Sequence, residues 1–238
     1  MDGGRLLEIL GRIRGLELDY GNAVRELTEA SGGADPRVNK FVVNGEPHWF
    51  IGWITHEGDT EALLDSLCHC RSGRDLVGVE VGSWVGYTAT LMLDAVPELT
   101  LTCVDTFLGS ASDITGELRE AAGVVSGDPD IIWTLFGRNT ERFGERCRVL
   151  RMGSLEAADQ FEDRSLDFVF IDADHSYEGC KADIEAWLPK LKLGGVICGH
   201  DYGEQFPGVV RAVDEIFGDI VETQSRVWFV DLVWHKWK

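Results

Sequence analysis

At 238 residues the chain is long enough for one well-buried α/β domain with additions and short for two full domains. Apolar residues make up 44% and charged residues 26%, the balance of a globular chain rather than a disordered one. A formal net charge of −19 repels nucleic-acid backbones and anionic membranes, so neither is expected as a partner.

No apolar stretch reaches the roughly 18 residues of a membrane span, and Met1-Asp-Gly-Gly-Arg-Leu-Leu-Glu lacks the basic-then-apolar order of a secretion signal. A cytoplasmic location is expected. The six cysteines agree with it: Cys103, Cys147, Cys180 and Cys198 fall in or beside apolar runs, where cysteine behaves as a small apolar residue. Cys68-His69-Cys70 resembles a metal fragment but lacks a second ligand pair at zinc spacing, so it reads as structural.

Residues 1–74 read as an N-terminal helical cap. Leu6–Ile13 is expected as a short helix, Gly32–Pro36 as a loop, and Trp49–Ile54 as a strand or an aromatic cover. Regular βα alternation starts at 75 and continues to 238. Leu76–Val81 is the first strand of this region, Thr88–Ala95 the helix after it, and Leu99–Val104 the second strand, which ends at Asp105. The stretch 107–137 has no clean period and reads as an insert, the kind of long connection that often forms lids or binding loops. Arg148–Met152 is a third strand, followed by Gly153-Ser154. The fourth strand runs from Asp167 to Asp172 and the fifth from Gly195 into His200-Asp201. Between them Ser176–Leu188 is an amphipathic helix with Cys180, Ile184, Trp187 and Leu188 on one face, ended by Pro189. Val209–Phe217 is a further helix, and Val227–Trp234 a late strand inserted antiparallel.

The expected fold is therefore α/β, a Rossmann-like doubly wound and mostly parallel sheet with a late antiparallel strand and an N-terminal cap. A right-handed crossover makes the fourth and fifth strands parallel, which gathers Asp172, His175, His200 and Asp201 at their carboxyl ends. Open parallel sheets bind ligands at that edge, and four such groups together favour a cation.

Glu80-Val-Gly82-Ser-Trp-Val-Gly86-Tyr-Thr88 follows the first strand and opens a helix. Its glycines permit a tight turn and close approach of a ligand to the backbone, and the helix start supplies unpaired amides. The spacing is not the G-x-G-x-x-G of a dinucleotide fingerprint. Asp105 is placed to accept both hydroxyls of a ribose.

With these pieces in this order, 75–234 resembles the class I S-adenosylmethionine-dependent methyltransferases. The resemblance implies that Glu80, Gly82, Ser83, Gly86, Asp105 and Ser154 face the cofactor, with Trp84 and Thr88 at turn positions near its methionine end. Asp172 closes the same site. Asp172-x-x-His175 followed by His200-Asp201 is also similar to the metal-dependent small-molecule O-methyltransferases. That likeness implies a divalent cation (magnesium or manganese) on Asp172, His200 and Asp201, with His175 as proton acceptor. His200 departs from the pattern, because the first of the two fifth-strand residues is usually acidic, and an imidazole suits softer cations better than magnesium. Asp174 could supply an oxygen instead, or cap the helix after it.

The activity implied is methyl transfer from S-adenosylmethionine to a hydroxyl of a small molecule (a sugar, a phenol or a natural product), and a homo-oligomer is compatible with it. Two other readings stand beside it. One is a nicotinamide-dependent oxidoreductase, which leaves the strand-end cluster unexplained. The other is a non-catalytic cofactor-binding protein of the same fold.

Overall fold

The computed structural model describes residues 38–43, 46–51, 57–70, 75–109 and 130–232. The expected helix Leu6–Ile13, the loop Gly32–Pro36 and most of the 107–137 insert lie outside them. The chain forms two compact units, one of residues 1–54, 84–91 and 107–142 and the other of 55–83, 92–106 and 143–238.

In chain order the elements begin with β1 (Val38–Val43), β2 (Glu46–Ile51), α1 (Glu57–His69), β3 (Leu76–Val81) and α2 (Tyr87–Ala95). Next come β4 (Leu99–Val104), α3 (Ile131–Thr140), β5 (Cys147–Leu150), α4 (Ser154–Ala158) and β6 (Leu166–Ile171). The chain continues with α5 (Tyr177–Trp187), β7 (Leu191–Gly199), α6 (Pro207–Phe217), β8 (Glu222–Gln224) and β9 (Val227–Asp231). None of the described helices is long and apolar enough to cross a membrane.

In the first unit β1 and β2 pair antiparallel, with Val38 opposite Ile51. Phe107, fully buried at a left-handed φ of 57°, meets the rings of Trp133 and Phe136 at 4.9 and 5.0 Å. Asn139 donates to the Val85 carbonyl at 2.7 Å, tying α3 to the turn that opens α2.

The second unit carries a seven-stranded sheet in the order β5-β4-β3-β6-β7-β9-β8. β5, β4, β3, β6 and β7 run parallel, while β9 pairs antiparallel with both β7 and β8. This is the expected doubly wound sheet with its late antiparallel strand. Every residue of β6 is buried, as a central parallel strand requires, and full burial of each large apolar side chain contributes about 1.5–3 kcal/mol.

Side chains alternate across the sheet. Val79, Val81, Val169, Ile171, Ile197 and Val230 join one core with Cys180, Ile184 and Trp187 of α5 and Val209, Ala212 and Val213 of α6. On the other face α1 packs, with Ser66 Oγ 3.6 Å from Cys198 Sγ and the His69 ring edge-on to Phe229 at 5.3 Å. Ser176 caps α5 by accepting from the Gly179 amide at 3.0 Å, one residue inside the expected boundary. β7 starts earlier than expected, at Leu191. Its pairing with β6 shifts register between Leu166 and Phe168, where Gly194 takes φ 85°.

The chain leaves β3 for β4 and β5 on one side and returns to β6 on the other. The switch point of the sheet therefore lies between the carboxyl ends of β3 and β6. Gly82 and Asp172 follow those two ends.

Candidate active site

Three strand exits are tied together by backbone hydrogen bonds. Gly82 N donates to Val104 O at 2.8 Å, Asp172 N to Val81 O at 2.8 Å, and His200 N to Ile171 O at 3.1 Å. Gly82 takes φ 91°, and a Cβ there would overlap the Asp172 carbonyl group. Glycine is thus required for the closeness of two strand exits, before any ligand is considered. We expect Gly82→Val to lose about 3 kcal/mol or more of folding stability, from left-handed strain plus overlap with backbone. Urea unfolding checks this. Wild-type stability with weakened ligand binding would instead put the glycine's role in the ligand pocket.

At the ends of β6 and β7 four titratable side chains converge. The His175 Nε2 lies 3.0 Å from Asp201 Oδ2 and 3.5 Å from Asp172 Oδ1. The His200 Nδ1 lies 3.2 Å from Asp201 Oδ1 and 3.9 Å from Asp172 Oδ2. Asp201 sits at φ 59°, a strained conformation for a residue with a side chain and one that collects at functional sites. Phe206 packs against the His175 ring at 4.7 Å.

Among the described residues, Asp172, His175 and Asp201 form a group that could hold a cation, each offering one ligand atom and all three atoms lying within 4.8 Å of one another. The expected trio was Asp172, His200 and Asp201. His200 keeps its Nδ1 toward both carboxylates of that trio, while its Nε2 lies 3.1 Å from Asp59, a fully buried carboxylate on α1. Asp59 also accepts from Ser225 Oγ at 2.5 Å, from the Arg226 amide at 3.0 Å and from Arg226 Nη2 at 2.6 Å. Asp59, Ser225 and Arg226 were not expected in the site, and no short-range pattern in the sequence marks them.

Charge follows from this packing. Burial works against a charged His175, but hydrogen bonds to Asp172 and Asp201 outweigh it and lift its pKa to about 10. Burial likewise opposes charge on His200, and Asp201, Asp172 and Asp59 outweigh it, raising its pKa to about 9. Burial would raise the Asp201 pKa, yet the two imidazoles hold it well below the usual carboxylate range. Asp59 is held low in the same way, by Ser225, Arg226 and His200 against the cost of burial.

Asp174 does not join the cluster. It is exposed, and its Oδ1 accepts from the Ser176 amide at 2.8 Å, an Asx turn leading into α5, whose cap is Ser176 itself.

The expected cofactor residues divide between the units. In the second unit, Asp105 is half-buried at the end of β4, with its amide 3.3 Å from Leu150 O. Beyond the end of β5, Gly153 is exposed and a Cβ there would meet nothing within 4 Å. Glu80 is fully buried and opposite Cys103 in register, and Ser83 is 1% exposed with its hydroxyl 3.5 Å from Glu80 O. The Ser154 hydroxyl is turned to α5, accepting from Trp187 Nε1 at 2.9 Å and bonding to Asp183. In the first unit Trp84 takes φ 48°, Gly86 takes φ 85°, and Thr88 is 8% exposed.

Cys68 is exposed while Cys70 is buried and donates to Asp167 O at 3.5 Å, so Cys68-His69-Cys70 is the end of a helix. The Tyr177 hydroxyl donates to Glu215 at 2.6 Å and that of Tyr202 to Asp214 at 2.7 Å, both linking to α6. Tyr202 also lines a cavity of about 580 Å³ with Pro207, Val210 and Arg211.

A family model described as "Methyltransferase domain" (Methyltransf_24) matches residues 79–202, which is 124 of 238. The uncharacterized protein y4gI of Sinorhizobium fredii is 30% identical over 163 residues, covering 66% of this chain and 16% of that protein. The O-methyltransferase NovP superposes with a TM-score of 0.53 at 20% identity, over 76% of this chain and 84% of its own. The cofactor-bound Rv0187 from MTB gives 0.52 at 12% identity, over 91% and 98%. At these identities the two structures speak to the fold alone. By fold and by family, the chain belongs to the methyltransferase-domain family of class I S-adenosylmethionine-dependent methyltransferases.

Proposed function

We propose that this chain transfers a methyl group from S-adenosylmethionine to a hydroxyl of a small molecule, such as a sugar, a phenol or a natural product. The reading includes a divalent cation, magnesium or manganese, held by Asp172 and Asp201. The observation that carries it is the convergence of those two carboxylates and His175 from adjacent parallel strand ends.

The chemistry explains why such a set is useful. Methyl transfer from a sulfonium is an in-line displacement: the acceptor oxygen bonds to the methyl carbon, the carbon–sulfur pair returns to sulfur, and the hydroxyl proton must go to a base. A bound divalent cation lowers the pKa of a hydroxyl and fixes the direction of its oxygen. Asp172 and Asp201 supply hard oxygen ligands suited to magnesium or manganese. His175 lies within reach of both and is the proton acceptor. With its two carboxylate partners committed elsewhere, its pKa falls back toward the ordinary imidazole range, where it can accept a proton. Asp105 holds the ribose. Acceptor choice is assigned to the cap, 1–74, and to the 107–137 insert.

The cofactor half of the proposal is tested by calorimetry with S-adenosylhomocysteine. Asp105→Ala removes an ionised acceptor worth about 1.5–3 kcal/mol, which corresponds to a loss of roughly tenfold or more in affinity. Unchanged binding in that variant would remove Asp105 from the cofactor site. Stabilisation by NAD in place of S-adenosylhomocysteine would replace the reading with the oxidoreductase one.

A further inference from the structure

The network behind His200 carries one step more. Asp201 presents its two oxygens to different partners. Oδ2 faces His175 at 3.0 Å, on the side shared with Asp172, whereas Oδ1 faces His200 Nδ1 at 3.2 Å and Arg226 Nη1 at 3.6 Å. The orientation of Asp201 is thus held from both sides, and His200 and Arg226 are the partners on the side away from His175.

His200 is in turn fixed from behind. Its Nε2 lies 3.1 Å from Asp59 Oδ2, and the same oxygen takes Nη2 and Nε of Arg226 at 2.6 and 3.2 Å. Asp59 is fully buried and belongs to α1, 141 positions from His200 along the chain. One carboxylate thus anchors both groups that grip Asp201 Oδ1. The backbone of Asp201, at φ 59°, persists only where its surroundings over-determine it, and this pair of donors does so.

We propose that Asp59 is a positioning residue for the active site. Through His200 and Arg226 it sets the plane of the Asp201 carboxylate, so that one oxygen is held on their side and the other is presented to the cation site. The inference rests on the reading of Asp201 as a cation ligand. It gives α1, a helix that contributes nothing to the strand-end cluster itself, a direct part in setting ligand geometry.

The test uses the full chain and manganese alone as the probe. In Asp59→Asn, manganese affinity by calorimetry is expected to fall about 10–100-fold, the usual worth of a group behind a metal ligand. S-adenosylhomocysteine affinity should not change, and a metal-free crystal structure of the variant should show Asp201 turned away from His175. His200→Phe keeps a planar ring and removes the Nδ1 donor. It should produce the same rotation and the same loss, and it decides the matter if Asp59→Asn does not fold. An unmoved Asp201 with wild-type manganese affinity in either folded variant overturns the proposal, leaving Asp59 as a tie between α1 and the turn before β9. A wild-type protein that binds no manganese would defeat the cation reading instead, and the Asp201 rotamer in the variants would still decide the role of Asp59.

Discussion

In a chelator such as EDTA, methyl transfer is expected to fall to the background rate while S-adenosylhomocysteine binding stays intact. A cation that polarises the acceptor hydroxyl is worth several kcal/mol, and at about 1.36 kcal/mol per tenfold this is a loss of roughly 10³ or more. Binding of the cofactor should be spared, because Asp172 and Asp201 are read as serving the acceptor and Asp105 the ribose. Asp172→Asn should reproduce chelation most cleanly. Its side chain is 24% exposed, and removing its charge strands no buried cation. Asp201→Ala should also abolish transfer, but with lower stability, because it leaves buried His200 facing an empty position. Breaking a buried pair in this way typically costs about 3–5 kcal/mol. The measurement is turnover with a panel of small polyols and phenols, beside calorimetry on the same samples. Full activity in EDTA would eliminate the cation. Loss of cofactor affinity together with the metal would make the cation structural.

The parts of the fold that were legible in the sequence are those where one physical demand dominates. Central parallel strands must be apolar on both faces, so β3, β4 and β6 stand out as short apolar runs, and their carboxyl ends are marked by Asp105 and Asp172. Elements whose patterning is divided were missed. α1 mixes buried Leu63 and Leu67 with exposed Glu61 and Asp65, and its first turn holds an acid that reads as a complement to the helix dipole. That acid is Asp59. α3 was hidden in a glycine-rich stretch and contains Gly137 in its own interior. Of the β1–β2 pair only part was expected, Trp49–Ile54 as a strand or aromatic cover, which overlaps β2 up to Ile51, although Asn44-Gly45 between two runs of alternating character is a strong short-range mark of a hairpin. In the site, Asp172, His175 and Asp201 were legible because sheet topology alone brings strand ends together. The engagement of His200 Nε2 by Asp59 was not. It depends on a buried partner far along the chain, and a pattern confined to neighbouring residues contains no trace of it.

His175→Ala is expected to lower turnover by roughly 10²–10⁴-fold, the usual contribution of a positioned base, while manganese affinity stays close to that of the wild type. The acidic limb of the wild-type rate profile should be missing in the variant, since that limb reports protonation of the base in the loaded enzyme. A second reading of His175, as a ligand in its own right, predicts the opposite pattern: manganese affinity would fall together with turnover. The metal-free protein offers an independent check through stability. His175 has a folded-state pKa raised from 6.5 to about 10, so the stabilisation it draws from Asp172 and Asp201 is complete below about pH 6.5 and is lost as pH climbs through about 10. Denaturant unfolding in EDTA across that window should show the wild type losing its advantage over His175→Ala as pH rises. His200 titrates over an overlapping range, but it is present in both proteins and largely cancels in the difference. A difference that stays flat from pH 6.5 to pH 10 would show that the imidazole is not held as a cation between the two carboxylates, and the proton-acceptor role would then have to be rebuilt on another group.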